Sequence, residues 1–231
     1  MKLHRFIGDF IFDDSTLSII DPEIVNQLKN VLRLKIGEEL ILCDGKGYEI
    51  SASIQSIDRK EIIVELGKMI KNKNEIKHQV NLFCAILKKE NFELVAQKAT
   101  EIGITRIVPV ISKRTIKIKV DPVRIKKIIK EASEQSGRGV LPELHEQMNF
   151  AEAIEYAKTL GESIIFDGSG YPISDTRSTP HVSCIFIGPE GGWTENELTL
   201  AKENNFHIKN LGPLTLRAET AAIVACFLST R

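Results

Sequence analysis

The apolar positions of this chain change their period once. Through the first 70 residues, short β-rich runs stand between turn-forming residues. Glu39–Cys43 and Tyr48–Ile54 flank Asp44-Gly45-Lys46-Gly47, which is a hairpin signal, and Glu61–Leu66 is a further strand. One helix interrupts these strands. Asp21 suits its N-cap and Pro22 its first turn, and Ile24, Val25, Leu28, Val31 and Leu32 fall on one face. A few short strands with one helix predict a small barrel. From Gln79 onward, strands alternate with helices. Strands are predicted at Val80–Leu87, Arg106–Ile111, Ser163–Phe166, Ser183–Ile187 and Ile208–Leu211. Helices are predicted at Asn91–Ile102, Asp121–Ser136, Asn149–Leu160, Thr194–Asn204 and Ala218–Leu228, the fourth opened by a capping box of Thr194 with Glu197. Such alternation predicts an α/β layer structure on a mostly parallel sheet.

The change of period marks a boundary. Lys68–His78 is polar and lysine-rich and reads as a linker, so residues 1–70 and 79–231 are expected to form two domains. Lys+Arg and Asp+Glu are both 31, which excludes a uniformly basic polyanion binder but leaves room for a basic face. Lys113 to Lys130 supplies one: Lys113, Arg114, Lys117, Lys119, Arg124, Lys126, Lys127 and Lys130 stand against Asp121 alone. A solvated helix face would account for the same run.

The candidate chemistry is limited by what is missing. Cys43, Cys84, Cys184 and Cys226 sit far apart in apolar runs, and none is at ligand spacing from another Cys or a His. Free thiols in a reducing compartment are expected, with no metal. The first residues carry charges and no apolar leader core, and no apolar run approaches the roughly 20 residues of a membrane span. A cytoplasmic protein without membrane contact is the expectation. There is no G-x-S-x-G elbow, and no phosphate-binding Gly-Lys-Ser/Thr.

Two loops remain, each leaving a strand and entering a helix, where parallel sheets bind ligands. Ile187-Gly188-Pro189-Glu190-Gly191-Gly192-Trp193 carries three glycines that let backbone approach a ligand, and a carboxylate that suits a neutral or cationic one better than phosphate. Leu211-Gly212-Pro213-Leu214-Thr215-Leu216-Arg217-Ala218-Glu219 places an arginine and a glutamate at the start of an apolar helix. The first loop could be an ordinary tight turn. In the second, Arg217 and Glu219 could simply pair with each other.

Taken together, IGPEGGWTENE (Ile187–Glu197) and LGPLTLRAETAAI (Leu211–Ile223) closely resemble the RsmE family, SPOUT-class methyltransferases that modify ring nitrogen 3 of a uridine in 16S ribosomal RNA. KATEIGI (Lys98–Ile104), EASEQSGR (Glu131–Arg138), HRF (His4–Phe6) and VLRLKIGEEL (Val31–Leu40) extend the resemblance over essentially the whole chain. It implies a small N-terminal PUA-like β-barrel that binds RNA, a C-terminal SPOUT α/β domain with a parallel sheet and deep trefoil knot, S-adenosyl-L-methionine as cofactor, and a homodimer. The implied cofactor residues are Phe166, Ile187, Gly188, Glu190 and Gly191, with Leu211, Gly212, Pro213, Leu216 and Thr220. Arg217 and Glu219 are the implied catalytic residues. Arg5, Arg33, Lys113, Arg114 and Arg138 are the implied contacts to small-subunit RNA, naked or as an assembled 30S subunit. A knotted methyltransferase acting on another RNA nucleoside, or a non-catalytic RNA-binding module, would fit much of the same pattern.

Overall fold

A computed structural model describes residues 3–116, 119–173 and 182–231. The chain divides into two compact units, Met1–Glu75 with Ser133–Leu141, and Ile76–Ala132 with Pro142–Arg231.

The first unit is a five-stranded sheet in the order β1-β3-β4-β5-β2, built from β1 (His4–Ile7), β2 (Thr16–Ile19), β3 (Glu39–Cys43), β4 (Tyr48–Ile57) and β5 (Ile62–Lys71). The hairpin between β3 and β4 forms as its sequence predicts. Asp44 Oδ1 accepts from the backbone N–H of Lys46 and Tyr48, and Gly45 and Gly47 take the positive φ that the turn requires. Alternate residues of these strands, among them Leu40, Leu42, Ile54, Ile62 and Val64, are fully buried against Phe6, Ile19, Ile24 and Leu28.

Two expectations are corrected here. β5 runs to Lys71, with Tyr48 opposite Lys71, so the first four residues of the supposed linker are strand. The helix at Pro22 stays α-helical only to Asn26 (α1, Pro22–Asn26) and continues as a π-helical turn, Gln27–Val31. The wider turn rotates the apolar stripe, and Val31, expected inside, is 65% exposed.

Ser133–Leu141, which the linear division leaves in the second domain, belongs to the first unit. Glu134 Oε1 accepts from Ile7 N at 2.8 Å, Gly47 N donates to Gly139 O at 3.0 Å, and Lys46 bridges to Val140. These bonds span some 90 to 130 residues of chain, a range to which local periodicity is blind.

The second unit carries a sheet in the order β12-β10-β11-β6-β7-β8, with β9 also on β7, every pairing parallel. Its strands are β6 (Asn81–Ala85), β7 (Arg106–Ile111), β8 (Glu143–Leu144), β9 (Met148–Asn149), β10 (Glu162–Pro172), β11 (Val182–Ile187) and β12 (His207–Asn210). Its helices are α2 (Lys89–Ile102), α3 (Pro122–Ser136), α4 (Phe150–Lys158), α5 (Glu195–Glu203) and α6 (Ala218–Ser229). β8 and β9 have two residues each, too short to show a period. Phe83 and Phe186 stack at 4.4 Å between ring centres in a core with Val108, Ile154 and Phe206, and α6 packs on α2 and β11. All four cysteines are buried and free. Among the described residues, no cluster of His, Cys, Asp and Glu could hold a metal, and no helix is long and apolar enough to cross a membrane.

Candidate active site

Sheet order assembles the site. β12, β10 and β11 are neighbours, and parallel register sets Phe166 beside Ile187 on one side and Lys209 on the other. The segments leaving these three strands therefore emerge side by side at their carboxyl ends. They enclose a cleft of about 920 Å³, with Lys88 and Asn91 from the start of α2 completing its wall.

The first loop is fixed from several directions. Gly192 N donates to Pro189 O at 2.8 Å, closing a tight turn, and Gly192 adopts φ +69°. Trp193 is buried, donates from Nε1 to Phe166 O at 3.1 Å, and lies 4.9 Å from the Phe150 ring. Gly188 sits directly against this indole: a Cβ there would stand 3.1 Å from Trp193 Cε2. The predicted capping box forms, and Glu197 does more than cap. Its Oε2 accepts from Thr194 N and Thr194 Oγ1, and its Oε1 accepts from Lys113 N, each at 2.8 Å. A buried carboxylate with this many donors is a rigid anchor.

The second loop leaves β12 through Asn210. The Asn210 side chain accepts from Gly212 N at 3.1 Å and donates to Gly170 O at 2.6 Å, while Gly212 takes φ +122°. Arg217 is the N-cap residue of α6. Its carbonyl accepts from Ala221 N at 2.8 Å, but its side chain makes no capping bond. Among the described residues, no ion pair joins Arg217 to Glu219, so the merely structural alternative for these two is not realised.

The walls mix apolar groups with unused backbone donors. Phe166, Ile187, Pro213 and Leu216 supply apolar surface. Among the described residues, the N–H groups of Glu190, Gly191, Leu214, Thr215 and Leu216 have no partner. An apolar, disc-shaped ligand with ring nitrogens and hydroxyls would satisfy such donors. The Glu190 carboxylate, which accepts from Lys88 N at 3.3 Å, brings a negative charge to the rim.

Of the residues singled out in sequence, Phe166, Ile187, Gly188, Glu190, Gly191, Leu211, Gly212, Pro213, Leu216, Arg217 and Glu219 line this one cleft. Thr220 does not; it is exposed on the first turn of α6. Lys88, Asn91, Asp167, Trp193 and Asn210 line it as well and were not singled out as site residues. The signal for Lys88 and Asn91 was available, since they follow β6, the next strand beyond β11.

The basic candidates separate. Arg33 and Lys113 are exposed, and Lys117 lies outside the described residues. Arg5 is turned inward to Glu49 and Cys43, with its side chain 8% exposed. Burial, the largest single influence, lowers its pKa, but the hydrogen bonds and charges of Glu49 and Cys43 together outweigh it and the net direction is upward. Burial likewise pushes the neighbouring Cys43 thiol up to about 11, so it is no nucleophile. Arg138, also 8% exposed in its side chain, pairs with Glu75 at 3.0 Å. Arg5 and Arg138 are thus structural ions and leave the set of surface phosphate contacts. Arg114 Nη1 donates to Gly191 O at 2.7 Å and Trp193 O at 3.1 Å, placing it on the cleft loop.

Comparison with known proteins agrees with this geometry. Residues 20–67 match the family described as RNA methyltransferase PUA domain, and residues 74–229 the family described as RNA methyltransferase domain. The chain is 33% identical to the ribosomal RNA small subunit methyltransferase E of Rickettsia conorii, over 97% of this chain and 94% of that protein. It is 28% identical to the protein of the same name from Bacillus subtilis, over 91% and 88%. Among solved structures, it is similar to a ribosomal RNA small subunit methyltransferase E from Neisseria gonorrhoeae bound to S-adenosyl methionine, with 30% identity, a TM-score of 0.89, and 97% and 95% of the two chains covered. A Legionella pneumophila protein in complex with the same cofactor matches at 30% identity and a TM-score of 0.87, over 98% and 96%.

Proposed function

The chain belongs to the ribosomal RNA small subunit methyltransferase E family, and from that premise we propose that it transfers the methyl group of S-adenosylmethionine to ring nitrogen 3 of a uridine in small-subunit ribosomal RNA. The observation that carries this reading is the convergence of two loops, 24 residues apart from Ile187 to Leu211, on one cleft with Arg217 at its edge. The second unit has the SPOUT α/β fold, to which such a cleft belongs.

The residues present suit this cofactor. When bound, S-adenosylmethionine supplies an electrophilic methyl group on a sulfonium. Phe166, Ile187 and Leu216 give apolar surface for its adenine, and the unpartnered N–H groups of the two loops give donors for ring nitrogens and ribose oxygens. The Glu190 carboxylate suits the positive charge. Fixed loops hold donor and acceptor in line, which supplies much of the acceleration of a group transfer. The uracil imide loses its N3 proton, and negative charge spreads onto the flanking carbonyl oxygens. The Arg217 guanidinium stabilises that charge, and Glu219 or solvent accepts the proton. The experiment is a methylation assay on methyl-free small subunits and on naked small-subunit RNA, with nucleosides identified by mass spectrometry. N3-methyluridine is expected. A different methylated nucleoside would replace the acceptor, and no transfer despite bound cofactor would leave a non-catalytic RNA-binding module.

RNA contact is assigned to Arg33, Lys113 and the exposed part of the basic run, including Lys119 and Lys126. Affinity for RNA should then fall with salt, with a log–log slope of roughly −0.7 to −0.9 per neutralised phosphate. Reversing these four charges should flatten that slope. If the slope and affinity stay put, the run is only a solvated face.

The assembly proposed is a homodimer that uses α6. One side of α6, with Ala218, Ala222, Ala225 and Cys226, is buried within its own unit. Phe227 nevertheless stays 42% exposed, and Ile223, Val224 and Leu228 are only half-buried. A helix apolar on more than one face needs a second partner. Light scattering at micromolar concentration should give twice the 25.9 kDa of one chain, and a monomer would exclude this arrangement.

A further inference from the structure

We propose that Arg114 is a positioning residue for the cofactor loop, so that the turn after β7 sets the affinity for S-adenosylmethionine from outside the cleft. This rests on the reading of the cleft given above.

The turn itself is stiff. Ser112 N donates to Thr115 Oγ1 at 2.9 Å, the two hydroxyls lie 2.9 Å apart, and Thr115 N returns to Ser112 O at 3.2 Å. Its two central residues both reach the segment Gly191–Glu197. Lys113 does so through its backbone N–H, to Glu197 Oε1. Arg114 does so through its side chain, and both bonds come from the same nitrogen, Nη1, to Gly191 O and Trp193 O. The Arg114 stem also lies against Gly191: a Cβ on that glycine would stand 3.4 Å from Arg114 Cβ and Cδ.

These bonds fix the loop as a unit. The carbonyls of Gly191 and Trp193 are held by one guanidinium, Gly192 N is closed onto Pro189 O, and Thr194 N is closed onto Glu197. The peptide planes Gly191–Gly192 and Trp193–Thr194 are therefore each held at both their carbonyl and their N–H. The free donors of Glu190 and Gly191 are left with a defined direction. Gly191 and Gly192 have no side chains to restrain them, and Gly192 is in the left-handed region, so the loop's own covalent structure cannot supply that order. Pre-organised donors raise affinity by removing the ordering cost of binding.

The test uses the full-length protein and S-adenosylmethionine itself. Trp193 is the single tryptophan, so its fluorescence reports on this loop alone. In the ligand-free protein, Arg114→Ala should raise acrylamide quenching of Trp193, and Arg114→Lys should fall between it and the wild type, since an ammonium offers donors without the planar fork. By calorimetry, Arg114→Ala should raise the Kd for S-adenosylmethionine about tenfold, the scale of two lost carbonyl contacts to an exposed cation. Lys113→Ala, whose backbone bond survives the change, should leave that Kd unchanged while weakening RNA binding. Unchanged quenching, or an unchanged cofactor Kd in Arg114→Ala, overturns the proposal. If the wild type itself shows no heat with S-adenosylmethionine, the cofactor reading has failed, and the quenching comparison alone decides whether Arg114 holds the loop.

Discussion

Replacing Arg217 with alanine is expected to lower the single-turnover rate of methyl transfer about a hundredfold at saturating RNA, on the order of 3 kcal/mol in the barrier, with cofactor affinity nearly intact. The argument begins from where this arginine stands. It is exposed at the N-cap of α6, caps nothing with its side chain, and has no ion pair among the described residues. A cation at a helix N-terminus opposes the helix dipole, a cost of roughly 0.3–1 kcal/mol when exposed. The fold thus gains nothing from this charge and works slightly against it. Such placements accumulate where function requires them. Arg217→Ala should therefore leave the melting temperature unchanged or raise it slightly while the rate collapses. Arg217→Lys should recover only part of the rate. A normal rate with lowered stability would return Arg217 to a structural role.

Much of this molecule was legible in sequence, and the remainder failed for identifiable reasons. The alternation after Gln79 predicted the parallel sheet because the central strands β6 and β7 are buried on both faces and α3, α4 and α5 each open on a side-chain cap. The capping box at Thr194 is short-range and forms as read. The two glycine-proline loops predicted the cleft because three adjacent strands must release their loops together. What escaped was long-range or charged. Nothing local in Ser133–Leu141 shows that it completes the first unit, because its bonds reach back to Ile7, Gly47 and Glu75. Arginines were read as surface charge, yet the side chains of Arg5 and Arg138 are buried against part-buried carboxylates and Arg114 faces two carbonyls. An arginine's partner lies at the end of a long side chain, and composition records only the charge.

The glycines of the two loops show the same distinction between pattern and cause, and they give the second large effect. In sequence, Gly188 is a place where a ligand would approach backbone, so Gly188→Val should block the cofactor. The structure gives it a different neighbour. A Cβ at Gly188 meets Trp193 at 3.1 Å from Cε2 and 3.2 Å from Nε1. Valine adds two methyl groups in that space, and the indole must move. Its bond to Phe166 O and its packing on Phe150 go with it. Overpacking a core costs typically 1–3 kcal/mol, and stranding a buried donor adds about 1–3 kcal/mol. Gly188→Val should therefore lower the melting temperature of the second unit by roughly 10 °C, at about 2–4 °C per kcal/mol for a chain of this size. Trp193 emission should shift toward that of solvent-exposed indole. Gly212 is the cleaner probe of ligand binding. Its φ of +122° strains any other residue, but no atom stands within 4 Å of the position a Cβ would take. Gly212→Val should thus distort the loop after β12 without touching the core: the melting temperature should stay within a few degrees, while cofactor affinity falls roughly 10- to 100-fold, the equivalent of the 1–3 kcal/mol cost of the strained backbone. The opposite pattern, a stable Gly188→Val protein that binds no cofactor beside a Gly212→Val protein that binds normally, would mean that the cofactor sits against Gly188 and that the loop after Asn210 is not part of its site.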